Sequence, residues 1–286
     1  MPYTVAVSFD KFYENINLPG NHRDTANRRR DDIVDTLKTK VNIIEAFTSG
    51  SIPRFTAVKG YADLDVIVAL HFGEHIKGKQ PSQVLQEVRD ALGEYRQIVR
   101  KNGQAVTLYY KTWPNVDIVP ASQIVDDAGN VTAYKIPDMY NELWLRSKPK
   151  KHTSNITSQA QLCGPSFRKI ITMIKWWNHQ HSEHLQSYHI EAMALQVFTS
   201  QLSDMPRDVF KFFEKASELI QSSLWYEGAY VDSYMSSSQR QEAKKRLETA
   251  RDKSRDAWYK TYKYDDHGGA ITIWRHVFGD KFPAYG

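Results

Sequence analysis

The chain has 286 residues, 41% hydrophobic and 25% charged, which is ordinary globular usage: it supplies core material for about two domains and excludes intrinsic disorder. Lysine and arginine number 38 against 33 for aspartate and glutamate, a net charge of +5 with pI near 9.0; this suits a protein that handles phosphates but is too small to establish nucleic-acid binding. The single cysteine, Cys163, excludes an internal disulfide framework and a multi-cysteine zinc ribbon, no apolar run approaches the roughly 20 residues of a membrane span, and the first ten residues lack the basic start of a signal peptide, so a cytoplasmic protein without a membrane partner is expected.

Taken in chain order, residues 22–48 read as one long helix, with Val34, Leu37, Val41 and Ile44 at steps of three and four. Ser49-Gly50-Ser51 would end it, glycine supplying the positive φ of a helix stop. A strand is predicted over Ala62–Leu70, with Leu64, Val66, Val68 and Leu70 on one face and Asp63 and Asp65 on the other. A helix over Pro81–Arg100 follows, then strands at Ala105–Lys111, Val116–Val119 and Val131–Ile136. From Pro165 the periodicity is helical, through Phe167, Ile170, Ile174 and Trp177, then Ile190, Met193 and Val197, then Val209, Phe212, Phe213 and Ile220. A charged helix over Ser237–Trp258 precedes an aromatic tail, Trp274–Gly286, that reads as irregular. Ser147–His152, polar, basic and broken by proline, is the expected hinge. The fold class is α+β: a lobe with a mixed sheet at residues 1–150, carrying the long N-terminal helix as a spine, and a helical lobe at 151–286, with the active site in the cleft between them.

Gly50-Ser51, Asp63-Leu64-Asp65 and Asp117 form the sharpest constellation. Two aspartates at i and i+2 of a strand project from one face, where like charges raise each other's pKa unless a cation joins them. Asp117 stands in an apolar strand, Val116-Asp117-Ile118-Val119. Three carboxylates on two strands can hold two divalent ions about 3.5–4 Å apart, which activate a hydroxyl and stabilise a leaving pyrophosphate. A Gly-Ser turn exposes backbone N–H groups that can cradle a triphosphate. The bland alternative is a D-x-D that ends a strand in solvent; the apolar run around it argues for a central strand instead. His179, His181, His184 and His189 crowd one region, but no second cysteine or suitably spaced carboxylate makes them a zinc site.

These residues resemble the signature of the polymerase-β-type nucleotidyltransferases. Ile174-Lys175-Trp176-Trp177-Asn178 followed by Gln186-Ser187-Tyr188-His189-Ile190-Glu191 is similar to the K-W-W-N … S-Y-H-x-E pattern of bacterial CD-NTases. Those enzymes are relatives of cyclic GMP-AMP synthase and oligoadenylate synthase that make cyclic oligonucleotide signals in anti-phage (CBASS) operons. The resemblance spans about residues 45–283 and implies that Asp63, Asp65 and Asp117 bind two magnesium ions, or manganese in their place. It implies that Gly50 and Ser51 meet the donor triphosphate, that Asp117 deprotonates or orients the acceptor hydroxyl, that Lys175 and Ser187 contact phosphates, and that Tyr188 stacks on a base. Read bottom-up, Lys175 could equally be a snorkelling helix lysine and Ser187 an N-cap. Substrates would be ATP, GTP or other NTPs, and the product a cyclic di- or trinucleotide acting on a downstream effector. A template-independent RNA-end nucleotidyltransferase or a linear oligoadenylate synthase is the alternative. The cysteine-rich zinc insertion of cyclic GMP-AMP synthase is absent, so no obligatory DNA is implied, while a ubiquitin-ligase-like partner conjugating Gly286 is implied by some operons of the family.

Overall fold

The computed structural model describes residues 3–93, 95, 97–99 and 103–286. The chain opens with α1 (Val5–Ile16) and α2 (Gly20–Lys38), then β1 (Ile43–Ser49), a single helical turn α3 (Ser51–Arg54) and β2 (Leu64–Leu70). After a π-helical turn at Phe72–Ile76 come α4 (Pro81–Ala91), β3 (Gln97–Val99), β4 (Val106–Leu108), β5 (Val116–Val125), β6 (Val131–Asp138) and β7 (Leu143–Ser147). The remainder is α5 (Pro149–Cys163), α6 (Ser166–Gln180), α7 (Ser187–Val197), α8 (Met205–Leu219), the hairpin β8 (Trp225–Tyr226) and β9 (Ala229–Tyr230), α9 (Ser237–Tyr264) and α10 (His267–Phe278). Two compact units result, one of Leu18–Thr153 and one of Met1–Asn17 with Ser154–Gly286.

The first unit is built on a mixed sheet of order β1-β2-β5-β4-β3, with β6 and β7 continuing from the far half of β5. The β2/β5 pair is parallel and its neighbours are antiparallel. Alternation decides the faces: Leu64, Val66, Val68, Val116 and Ile118 point into the main core with Leu37, Val84, Leu85 and Val88 of α2 and α4. Each such side chain, removed from water, contributes roughly 2 kcal/mol. The opposite face carries a smaller cluster of Ile67, Ala69, Val119, Ala121 and Tyr134, and on this face the acidic residues fall.

The helix expected over 22–48 ends at Lys38, and residues 43–49 are a strand instead. The apolar stripe holds through Val34, Leu37 and Val41, all buried, but Ile44 is exposed because it sits at a bulge in the β1/β2 register. Ile43, Phe47 and Thr48, β-branched or aromatic, suit a ladder better than a fourth helical turn. The helix expected over Pro81–Arg100 stops at Ala91, with residues 94, 96 and 100 outside the described residues.

In the second unit α6 buries Phe167, Ile170, Ile171 and Ile174, and α8 buries Val209, Phe212, Phe213 and Ala216. Trp274, expected in an irregular tail, lies inside α10. Phe9 of α1 meets Trp274 edge-on at 4.9 Å and Phe282 at 5.1 Å, and Phe12 packs on Phe278 at 4.6 Å. That aromatic cluster puts the first 17 residues in the unit with the C-terminal helices rather than in the sheet lobe, where a cut at residue 150 would leave them. The expected hinge at Ser147–His152 is a direct passage from β7 into α5.

Candidate active site

Register places the acidic residues in one row. Ser49 of β1 pairs with Asp65 of β2, Asp65 with Asp117 of β5, and Asp117 with Thr107 of β4. Neighbouring strands lie about 4.8 Å apart, so four polar side chains cross the sheet at one level. Asp63 precedes β2, and Leu64 already donates its N–H to the Asn115 carbonyl at 2.9 Å, so the chain at Asp63 is entering the ladder. Asp63 and Asp65 are half-buried and Asp117 is buried. The Thr107 hydroxyl donates to Oδ1 of Asp117 at 2.7 Å, a charge-assisted bond that fixes the carboxylate and offsets part of its burial.

Gly50 completes this end of the sheet. Its φ is 73°, the left-handed region that glycine adopts without a Cβ penalty, and a Cβ built there would overlap Oδ2 of Asp65 and stand 2.8 Å from its Cγ. The missing side chain is therefore the space in which the Asp65 carboxylate lies. Ser51 then starts α3, so Gly50-Ser51 ends a strand rather than a helix. The donors gathered here are hard oxygens, the set that magnesium prefers. As the side chains stand, no three His, Cys, Asp or Glu residues among those described converge as metal ligands.

Farther along the same face, Glu45 accepts from Tyr134 Oη at 2.8 Å and from Gln123 Nε2 at 3.1 Å, and it pairs with Lys150. Burial alone would raise the Glu45 carboxyl, but the bonds from Lys150, Tyr134 and Gln123 hold it below the usual carboxylate range.

The residues expected in the helical unit divide. Ser187 and Tyr188 are exposed at the start of α7, and the Tyr188 ring lies 5.8 Å from that of Tyr226. Lys175 is 2% exposed and its Nζ donates to Oε1 of Glu191 at 2.7 Å, with Glu191 wholly buried. Lys175, expected from the motif to contact phosphate, has its ammonium joined to Glu191, linking α6 to α7 inside the unit. Of the four histidines, His179 pairs with Glu183, His181 donates through Nδ1 to the Trp177 carbonyl at 2.7 Å, and His189 meets Tyr234 Oη at 3.0 Å.

Residues 3–159, more than half of the chain, match the model of the Second Messenger Oligonucleotide or Dinucleotide Synthetase (SMODS) domain. The chain belongs to the SMODS family. It is 22% identical, over 334 aligned positions covering 100% of this chain and 99% of the relative, to a probable cyclic nucleotide synthase of Bacillus cereus (strain VD146). It is 26% identical to the cyclic AMP-AMP-AMP synthase of Acinetobacter sp. (strain ATCC 27244 / 9458), over 84% of this chain and 73% of that one. The fold is similar to that of CdnC from E. coli MS115-1, solved in complex with HORMA-deltaN, with a TM-score of 0.77, 16% identity, and 97% and 98% of the two chains covered. It is also similar to the CD-NTase CdnG of Bradyrhizobium diazoefficiens in complex with GTP, with a TM-score of 0.75, 12% identity, and 96% and 95% covered. This SMODS protein is accordingly a nucleotidyltransferase enzyme of the family that synthesises oligonucleotide or dinucleotide second messengers.

Sequence reading overlooked Ser49, Thr107 and Tyr234. Thr107 could have been flagged as a polar interruption between Val106 and Leu108, but its pairing with Asp117 depends on an antiparallel register that spacing does not reveal. In this SMODS chain Tyr234 Oη accepts from the Gln186 N–H at 2.9 Å, and it lies 48 residues from that partner.

Proposed function

We propose that this chain condenses nucleoside triphosphates into a cyclic di- or trinucleotide with release of pyrophosphate, as the signalling step of an anti-phage response. The observation that carries the reading is the row Ser49, Asp65, Asp117 and Thr107 across four strands, closed by a glycine that makes room for the Asp65 carboxylate. In this reading Asp63, Asp65 and Asp117 hold divalent magnesium, and all-oxygen donors together with the Gly50 recess fit that group. When bound, the cations neutralise phosphate charge and lower the pKa of the attacking ribose hydroxyl. The chain's own part is positional. Thr107 keeps the Asp117 carboxylate in one orientation, ready to take the hydroxyl proton; Gly50 and Ser51 present backbone N–H and hydroxyl donors to the triphosphate. Tyr188 offers an exposed ring to a base, and stacking of this kind contributes about 1–3 kcal/mol. Lys175 supports α7 from within and takes no phosphate.

The GTP-bound CdnG structure supports NTPs as substrates. A downstream effector that reads the product, and a ubiquitin-ligase-like partner that conjugates the exposed Gly286, complete the proposal; mass spectrometry of the C-terminus from cells carrying the operon tests the latter. The enzyme assay is direct: incubate the protein with magnesium and the four NTPs, without polymer, and treat the products with phosphatase. A phosphatase-resistant product that disappears with Asp65→Ala or in EDTA is expected. Linear products, or a requirement for an RNA end, would replace this reading by template-independent polymerisation.

A further inference from the structure

In the helical unit α6, α9 and α10 line a partly open cavity of about 300 Å³, the lower end of the range for small-molecule sites. Trp177, Ala250 and Val277 supply its buried apolar surface, while Lys245, Arg246 and Lys253 of α9 face it against a single carboxylate, Glu242. The spacing explains the grouping: positions 242, 246, 249 and 253 advance by three and four along one face of α9. Elsewhere on this helix the charges are matched, Lys244 with Glu248, Arg251 with Asp252 and Arg255 with Asp256. At the cavity only Arg246 is, with Glu242. The side-chain ammonium groups of Lys245 and Lys253 make no hydrogen bond or ion pair among the described residues, and Arg246 bonds Glu242 through Nε at 2.8 Å, which leaves a guanidinium's other donors for an oxyanion. His181 is half-buried here, its Nδ1 committed to the Trp177 carbonyl. Burial first, and then the charges of Arg246 and Lys253, hold its imidazole below the ordinary histidine range against the bond to the Trp177 carbonyl.

We propose that this cavity is a binding site for a small phosphorylated anion carrying two or more negative charges, distinct from the carboxylate row of the sheet unit. Three cations around one cavity exceed what a monocarboxylate neutralises, and an arginine fork flanked by two lysine point charges matches the several oxygens of a phosphate or diphosphate. The cavity is too small for a polymer.

Inorganic pyrophosphate, titrated by calorimetry into the full chain in EDTA, tests this. Binding is expected in the parent and equally in Asp65→Ala. In the double variant Lys245→Ala/Lys253→Ala it should weaken by about tenfold or more, the factor that follows from losing charge-assisted hydrogen bonds. Lys245 is exposed and Lys253 half-buried; Lys253→Gln alone is the second probe should the double variant lose its fold. Competition by ATP would make a nucleotide the source of the phosphate, and binding of pyrophosphate without such competition would make it a free phosphate compound. Undiminished binding in the variants, no binding at millimolar pyrophosphate, or citrate binding as tightly as pyrophosphate would each overturn the assignment.

Discussion

At Gly50 a single methyl group would act in two ways at once. Alanine there must hold φ near 73° and must displace the Asp65 carboxylate. Backbone strain of this kind costs about 1–3 kcal/mol, so Gly50→Ala should lower the melting temperature and reduce cyclic product at least about tenfold; a variant with parental melting and turnover would remove the recess from the site. Asp117 needs a subtler change, because alanine would also take the acceptor from the Thr107 hydroxyl. Asp117→Asn keeps an oxygen for that bond and removes the charge, so a folded protein without detectable synthesis is expected, measured by product assay beside a thermal melt. Lys175 and Glu191 illustrate what sequence leaves undecided. The apolar periodicity of Phe167, Ile170, Ile174 and Trp177 located the lysine on a helix, but only packing shows its ammonium turned toward Glu191 of the next helix. Removing one partner of a buried pair costs about 3–5 kcal/mol, so Lys175→Ala should move the urea midpoint strongly, and Lys175→Met with Glu191→Leu should recover most of the loss. A variant of normal stability with weakened NTP binding would return Lys175 to the phosphate.

Among the elements, α7 depends most on a contact remote in sequence. Tyr234 Oη accepts from the Gln186 N–H just ahead of Ser187 and Tyr188, and its own proton can go to Nδ1 of neutral His189 one turn later. Desolvation pushes the His189 imidazole down to about 4, opposed by Asp232 and aided by Arg240. Its folded pKa lies below its unfolded one, so the unfolded chain binds the extra proton: the stability is present above about pH 6.5 and is lost as pH falls toward 4. The loss amounts to about 3 kcal/mol at full development. Urea midpoints at pH 7 and 4.5 should differ more for the parent than for His189→Gln; equal slopes would mean that His189 does not govern the acid side. The elements themselves were legible wherever one periodicity ran alone, as in β2, β5, α6 and α8. They were misread where two patterns met: Val34, Leu37 and Val41 are helical in period, Ile43–Ser49 is a strand, and Ile44, spaced as if it continued the helix, sits exposed at a bulge.

For the molecule as a whole, the order of the sequence conceals which residues share a core. Reading left to right assigns α1 to the sheet lobe that follows it, since nothing in Val5–Ile16 names a partner some 260 residues away. Composition held a clue in the aromatics at each end, Phe9 and Phe12 against Trp274, Phe278 and Phe282, but matching them requires the three-dimensional fold. All five rings are buried, and Trp176 Nε1 further ties α6 to the Phe278 carbonyl at 2.8 Å. The acidic row could be read earlier because Asp65 and Asp117 are partners in the β2/β5 ladder and alternation puts them, with Asp63 just ahead of β2, on the face opposite Leu64 and Val116. If the ends of the chain form one core, Phe12→Ala should cost about 3–5 kcal/mol, the range for a buried aromatic truncated to alanine. Chain lacking residues 1–17 should expose Trp274, Phe278 and Phe282 together and bind a hydrophobic dye in proportion. Denaturation of Phe12→Ala followed by tryptophan fluorescence measures the first and dye binding the second. Parental stability in both proteins would place α1 outside the core and return the sheet lobe its first 17 residues.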